Sequence, residues 1–240
     1  MASEVQQWPL ARYGFTPEQH YRLLYFLIFT VFLNLAIARL SGLTMRPSPE
    51  KRVKTTPASL LVVLGSGGHT SEMLNILHQL PDLRQDYRRT YVISSGDAFS
   101  AAKASDFEKV IGNGTNDNFG IVTVHRARRV HQSLATAPFS TLFCLWDCVR
   151  LLYREPPDII LTNGPGTGVC VVLASIILRF FFYRTNSMRT TFIESWARVK
   201  TLSLSGKILK FFVDRFIVQW PQLVRAYGSD SVEYIGPLVR

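Results

Sequence analysis

The sequence predicts an α/β fold in which one parallel sheet, covered on both faces by helices, follows an amino-terminal transmembrane helix. From residue 58 onward, short runs rich in β-branched and aliphatic residues alternate with longer segments of helical periodicity. The runs lack the alternation of polar and apolar residues found in half-exposed strands, so we expect strands buried on both faces. The 240 residues suffice for one such domain and a short appendage.

We expect six strands in this sheet. Most intervals between them are long enough for crossover helices, which favours parallel strands in a doubly wound order. No internal repeat is visible, so a single sheet accounts for the domain. The predicted strands are residues 59–65, 90–95, 120–124, 158–162, 190–194 and 215–219.

Residues 21–40 read YRLLYFLIFTVFLNLAIARL and predict a membrane-spanning helix of about 30 Å. More basic residues follow this segment than precede it, so the positive-inside rule places the rest of the chain in the cytosol. A cleaved signal peptide and a buried soluble helix are the alternatives. A second apolar segment, 169–183, is expected to be buried at its start and to contact the membrane near its end. The predicted organisation is a short lumenal tail (1–20), the transmembrane helix (21–40), a linker (41–57) and a cytosolic domain (58–240).

The composition restricts the ligands. A formal net charge of +10 favours anionic neighbours such as phosphate groups, a membrane surface or nucleic acid. Nucleic acid is the weakest of these, because no recognised binding motif accompanies the charges. The cysteines lie in apolar stretches without metal-ligand spacing, so we expect buried thiols in a reducing compartment and no metal site. They are Cys144, Cys148 and Cys170.

The first glycine-rich loop follows the first predicted strand and precedes a helix. Its glycines permit close backbone approach, and amides at a helix start suit a phosphate or a diphosphate. Thr70 stands where a dinucleotide fingerprint requires a third glycine, and no Walker lysine follows, so an NAD-dependent enzyme is disfavoured and no cofactor is assigned. A tight turn without a ligand is the alternative. The loop consists of Gly65, Ser66, Gly67, Gly68, His69 and Thr70.

Three further segments at strand ends carry ligand-type residues. Glu194 ends a predicted strand and is followed by Ser195 and Arg198, a pattern that suits a ligand hydroxyl, the orientation of another side chain or a structural ion. The second glycine-rich loop contains Asn163, Gly164, Gly166, Thr167 and Gly168. A basic run follows the third strand and contains Arg126, Arg128 and Arg129. We expect it to face phosphate groups, lipid headgroups or solvent.

Four stretches together resemble one protein family. They are LGSGGHTSEML, VTVHRARRVHQS, TNGPGTGVCVVLAS and FIESWARVKTLSLSGKIL. They are similar to the membrane-anchoring subunits of the UDP-GlcNAc transferase of asparagine-linked glycosylation, and the likeness covers most of residues 20–240. More distantly, the same loops look like the amino-terminal half of the bacterial glycosyltransferase that attaches GlcNAc to the undecaprenyl-diphosphate precursor of peptidoglycan.

The resemblance implies a Rossmann-like domain that is the amino-terminal half of a GT-B glycosyltransferase. Such enzymes hold the polyprenyl-diphosphate acceptor on the amino-terminal domain and the UDP-sugar on the carboxy-terminal one. In this family the donor domain is a separate soluble protein, recruited to the cytosolic face of the endoplasmic reticulum. The implied reaction transfers GlcNAc from UDP-GlcNAc to dolichyl-diphosphate-GlcNAc with inversion, and we expect this chain to be inactive without its partner.

The resemblance also implies residue roles. His69 is the first candidate base, or a hydrogen-bond donor to phosphate, and Glu194 is the second candidate base. Both glycine-rich loops and the basic run are expected to hold the acceptor diphosphate. The alternative is a non-catalytic membrane scaffold whose domain binds a nucleotide or a partner. The expected docking strip for the soluble subunit is Tyr234, Ile235, Gly236, Pro237, Leu238 and Val239.

Overall fold

The computed structural model describes residues 13–44, 57–112, 119–128, 132–133, 135–164, 166–183 and 187–238. The chain divides into two compact units, Met1–Gly42 and Leu43–Arg240. The first unit contains most of one long helix, and the second contains the sheet and the helices that cover it.

Helix α1 spans Pro17–Thr44 and is, within the described ranges, the helix long and apolar enough to cross a membrane. It begins before the predicted residue 21 because Thr16 and Gln19 form a capping box. The Thr16 amide donates to Gln19 Oε1 at 2.9 Å, and the Gln19 amide donates to Thr16 Oγ1 at 3.3 Å. The helix also includes the first four residues of the predicted linker, whereas residues 45–56 lie outside the described part of the chain.

The second unit alternates strands and helices along the chain. In order, these are β1 (Ala58–Val63), α2 (Gly68–His78), α3 (Leu83–Asp86), β2 (Tyr87–Ser94), α4 (Ala98–Ile111), β3 (Phe119–Val124), α5 (Ala137–Arg154), β4 (Ile159–Thr162), α6 (Thr167–Phe180), β5 (Arg189–Ile193), α7 (Leu204–Leu209), β6 (Arg215–Val218), α8 (Pro221–Tyr227) and β7 (Glu233–Tyr234). The six predicted strands are confirmed, with ends that differ by up to three residues. Strand β7 was not predicted, because two residues carry no periodicity.

These strands form one seven-stranded sheet in the order β3-β2-β1-β4-β5-β6-β7, and all neighbouring pairs are parallel. Alternate residues of β1 enter different core layers, as expected for a strand covered on both sides. Leu60 and Val62 pack with α2 and α4, whereas Leu61 and Val63 pack with α5 and α6. The doubly wound α/β prediction is therefore confirmed. The prediction of buried thiols is confirmed: the three cysteines are free and lie in the core between the sheet and helices α5 and α6. They are Cys144, Cys148 and Cys170.

A buried charged network joins β2 to α4. The Arg89 guanidinium donates to both carboxylate oxygens of Glu108, from Nε at 2.9 Å and from Nη2 at 2.8 Å. The Tyr91 hydroxyl donates to the same carboxylate at 2.6 Å, and burial raises the pKa of Tyr91. Because these buried groups form hydrogen bonds with one another, the network holds α4 in position on the sheet.

Candidate functional site

The candidate site lies at the carboxyl edge of the sheet, where the strand order reverses between β1 and β4. Each of these strands leads through a glycine-rich loop into a helix, α2 on one face and α6 on the other. The two loops touch. A Cβ added to Gly164 would lie 3.1 Å from the Gly65 Cα, and one added to Gly65 would lie 3.3 Å from the Gly164 Cα. The fold thus brings the two predicted ligand loops together.

The first loop exposes its backbone at residues 66–68 and is braced from beneath. Gly67 precedes α2 with φ 66° and ψ −122°, a conformation that favours glycine. Thr70 is buried, and its hydroxyl donates to the Gly65 carbonyl and lies 2.7 Å from Ser100 Oγ. Thr70 therefore holds the loop in shape, while the exposed backbone before it remains open to a ligand.

In the second loop, as in the first, a glycine before the helix is at least partly exposed and a buried threonine supports the loop. Gly166 precedes α6 with φ 63° and is partly exposed. Thr167 is buried, and its hydroxyl lies 2.7 Å from Ser94 Oγ. A Cβ on Gly168 would collide with Thr162 Oγ1, so this glycine serves close packing of α6 against β4. Of the predicted residues in this loop, Gly166 is thus placed for ligand contact and the two after it are structural.

His69 lies where the two loops meet. Asn163 Nδ2 donates to the His69 carbonyl at 2.9 Å, and Asn163 Oδ1 is buried without a hydrogen-bond partner among the described residues. The His69 side chain is 32% exposed, but its Nδ1 is buried and makes no hydrogen bond within the same ranges. The exposed part of the ring therefore comprises its other atoms, among them Nε2.

Glu72 faces His69 and was not singled out from the sequence. Its Oε2 lies 3.8 Å from His69 Nδ1, while its Oε1 accepts from the Trp196 amide at 2.5 Å and from Gln219 Nε2 at 2.7 Å. The Trp196 carbonyl in turn accepts from Trp220 Nε1 at 2.7 Å, and the two indole rings lie 4.3 Å apart. The available sequence signal was the i, i+3 spacing from His69, which places both side chains on one face of a helix.

Glu194 is 1% exposed and stabilises the loop that follows β5. Its carboxylate accepts from the Ser203 amide at 2.9 Å, from Ser203 Oγ at 3.1 Å and from the Ser195 amide at 3.1 Å. Burial raises the pKa of Glu194, and the hydrogen bonds from Ser203 and Ser195 and the charge of Arg198 oppose that rise. Gly206 packs so closely that a Cβ there would collide with Oε2. Arg198, by contrast, is exposed on the surface of this loop.

The basic run lies at the same edge of the sheet, after β3, and contacts the second glycine-rich loop, because a Cβ added to Gly166 would lie 3.4 Å from the Ala127 Cβ. The Arg126 amide donates to Ser95 Oγ at 3.1 Å, and Arg128 Nη2 donates to the Gln132 carbonyl at 3.3 Å. Arg128 is exposed and Arg126 partly so, whereas Arg129 lies outside the described residues. The run therefore adjoins the second glycine-rich loop at Ala127.

Helix α5 carries an exposed apolar stripe that was not predicted from the sequence. Its members are between 62% and 68% exposed, and their spacing places them on one face of the helix. They are Phe139, Leu142, Phe143 and Trp146. In the apolar segment 169–183, α6 is largely buried, as expected, and Phe181 and Phe182 after it are exposed. Arg179 is buried and pairs with Asp214 at 3.3 Å.

The carboxy-terminal tail is partly absorbed into the domain. Tyr234 pairs with Val218 of β6, and the Leu238 carbonyl accepts a hydrogen bond from Gln79 Nε2. Leu238 also packs on the core layer beneath α2 and α4. The tail nevertheless presents Tyr234, Ile235 and Pro237 to solvent, whereas Val239 lies outside the described residues.

Comparisons with known proteins connect this site to a family. The family described as "Oligosaccharide biosynthesis protein Alg14 like" matches residues 60–238. UDP-N-acetylglucosamine transferase subunit alg14 of Aspergillus fumigatus is 43% identical over 210 residues, covering 63% of this chain and 92% of that protein. The protein of the same name from Schizosaccharomyces pombe is 41% identical over 213 residues, covering 85% and 97%.

A solved structure supports the fold alone. A UDP-N-acetylglucosamine 2-epimerase is similar with a TM-score of 0.50 and 16% identity, over 74% of this chain and 46% of that one, so this chain spans less than half of that structure. The sequence matches are much closer and extend over the sheet, both glycine-rich loops and the segment around Glu194. The chain therefore belongs to the Alg14 family, whose relatives named above are UDP-N-acetylglucosamine transferase subunits.

Proposed function

We propose that this chain is the membrane-anchoring and acceptor-binding subunit of a UDP-GlcNAc transferase that adds the second GlcNAc to dolichyl-diphosphate-GlcNAc. The observation that carries the proposal is the meeting of two glycine-rich loops, each at a helix start, in the crevice between β1 and β4. Membership in a family of transferase subunits supports the reaction class. The donor, UDP-GlcNAc, is held mainly by a separate soluble subunit, and this chain is inactive without it.

The acceptor diphosphate binds at the starts of α2 and α6. The first amides of a helix have no intrahelical acceptor, and the helix dipole adds partial positive charge there. Helices α2 and α6 follow the neighbouring strands β1 and β4, so their amino-terminal ends suit the two phosphate groups of one diphosphate. The first loop is exposed at residues 66–68, and the partly exposed Gly166 of the second loop has no side chain to cover its backbone. Thr70 and Thr167 support these loops from beneath.

His69 is the base for the transfer. The acceptor 4-hydroxyl oxygen attacks the anomeric carbon of the donor, the bond from that carbon to UDP breaks with inversion, and the hydroxyl proton passes to His69 Nε2. Two observations favour His69 over Glu194 in this role. The His69 ring is partly exposed at the junction of the loops, whereas the Glu194 carboxylate is enclosed and accepts three hydrogen bonds from its own loop.

Helix α1 anchors the chain in the endoplasmic reticulum membrane, with the sheet domain in the cytosol. The apolar stripe of α5 supports contact between the domain and the bilayer surface, because exposed aromatic side chains near arginines suit the boundary between acyl chains and headgroups. Arg126 and Arg128 supply such cations next to the start of α5. A lipid-linked acceptor would then reach the crevice without leaving the membrane.

The donor-binding subunit closes over the carboxyl edge of the sheet and docks on the exposed part of the carboxy-terminal tail. The exposure of Tyr234, which ends the edge strand β7, and of Ile235 after it supports this placement. The names of the relatives, which are transferase subunits, support assigning the donor site to another chain.

The test is a reconstitution. Microsomes that lack their own anchor subunit would receive this full chain, and transfer of labelled GlcNAc from UDP-GlcNAc to dolichyl-diphosphate-GlcNAc would be measured with and without the soluble donor-binding subunit. We expect product only when both are present. Absence of product with the chain inserted, while the same soluble protein is active with another family member as anchor, would refute the transferase role and favour a non-catalytic scaffold.

A further inference from the structure

We propose that Glu72 is the positioning residue for His69, and that it couples the orientation of the imidazole to the loop after β5. The inference deepens the proposed function and rests on it, because it concerns the residue that we assign as the base. Glu72 lies one turn after His69 in α2, with a side chain that is 10% exposed.

The two oxygens of the Glu72 carboxylate have different surroundings. Oε1 is held by two donors from distant parts of the chain, the Trp196 amide at 2.5 Å and Gln219 Nε2 at 2.7 Å. Oε2 faces His69 Nδ1 at 3.8 Å, and that nitrogen is buried without a hydrogen-bond partner among the described residues. A buried polar nitrogen without a partner is costly, and the facing carboxylate oxygen is a suitable acceptor for it.

A carboxylate in this place selects the tautomer of the base. A neutral imidazole carries one proton, and a carboxylate facing Nδ1 favours the form protonated there. The lone pair then lies on Nε2, in the exposed part of the ring, where it can accept the proton of the acceptor hydroxyl. A movement of about 1 Å converts the 3.8 Å approach into an ordinary N–H···O hydrogen bond. Catalytic hydrogen bonds commonly shorten in this way when substrate binds.

The same carboxylate connects His69 to the loop after β5. Trp196 belongs to the loop that Glu194 stabilises through Ser203 and Ser195, and Gln219 also donates to the Glu194 carbonyl at 3.0 Å. Because Oε1 is fixed by these donors, Glu72 cannot turn away from His69 without breaking them. A displacement of the loop on ligand binding would therefore move Oε2 relative to the imidazole.

The experiment is a double-mutant cycle in the full chain with its donor-binding subunit. Glu72→Gln keeps a carbonyl oxygen for Trp196 and Gln219 but turns an amide NH₂ towards His69 Nδ1, which disfavours the required tautomer. We expect kcat to fall roughly 10- to 100-fold with the acceptor KM unchanged within about twofold. In a His69→Ala background, the same change should cost no more than about twofold further, because its target is gone.

Glu155→Gln is the matched control, since Glu155 is exposed at the end of α5 and its variant should retain the wild-type kcat. An unchanged kcat in Glu72→Gln would overturn the inference. So would losses that multiply in the double variant, or a raised acceptor KM with unchanged kcat, because these indicate independent or purely structural contributions. An inactive wild-type complex would instead refute the proposed function and this inference with it, whereas a complex that needs His69 but tolerates Glu72→Gln would refute the inference alone.

Discussion

Replacing Gly164 by alanine tests whether the two glycine-rich loops are in contact. The added Cβ would lie 3.1 Å from the Gly65 Cα, closer than ordinary van der Waals contact, and 3.4 Å from the Gly65 nitrogen, and both of these atoms belong to the backbone. The loops must therefore separate by a few tenths of an ångström. Overpacking of this kind costs about 1–3 kcal/mol. For a domain of about 200 residues, this corresponds to a melting temperature lower by roughly 2–12 °C.

The assay compares thermal unfolding at one scan rate for the full chain in detergent, together with the acceptor KM in the reconstituted complex. Gly120→Ala is the matched control, because Gly120 lies in β3 and a Cβ there would meet no atom within 4 Å. We expect Gly164→Ala to melt earlier and to need more acceptor, while Gly120→Ala matches the wild type or slightly exceeds its stability. A Gly164→Ala variant with wild-type melting and wild-type acceptor KM would refute the contact between the loops.

Three further predictions follow from named contacts. His69→Asn should lower kcat by about 10²- to 10⁴-fold at saturating acceptor, whereas His78→Asn, at the exposed end of the same helix, should stay within about twofold; equal losses would contradict the role of His69. The wild type should melt at a higher temperature than Glu194→Gln, and this difference should shrink as pH rises above 4.5, the ordinary pKa of a glutamate. Burial raises the pKa of Glu194 in the folded state, so its ionisation above pH 4.5 opposes folding. A difference that grows with pH would contradict this. Glu108→Ala should destabilise the domain by about 3–5 kcal/mol in thermal unfolding, since it removes the carboxylate that neutralises buried Arg89, and a loss below about 1 kcal/mol would show that the network contributes little.

The positions of the two glycine-rich loops were predictable because their signals are local. A β-branched run ending in glycines and followed by an apolar helix predicts a strand, a turn and a helix from neighbouring residues alone, and both glycine-rich loops were located in this way. Distinguishing the roles within each loop required the structure. The glycine-rich pattern groups Thr70 and Thr167 with the predicted ligand-contacting residues, yet both hydroxyls form hydrogen bonds within the domain.

By itself, the sequence determined the α/β class, the membrane-span candidate, the positions of the strands and the family, because these depend on periodicity, composition and motifs along the chain. Only the tertiary structure decided which strand ends meet. Gly65 and Gly164 touch because β1 and β4 are neighbours, and Glu72 reaches Trp196 across 124 positions of sequence. The burial of Glu194 and the pairing of β7 have the same origin. Such contacts depend on packing between distant segments, and no local pattern in either segment specifies its partner.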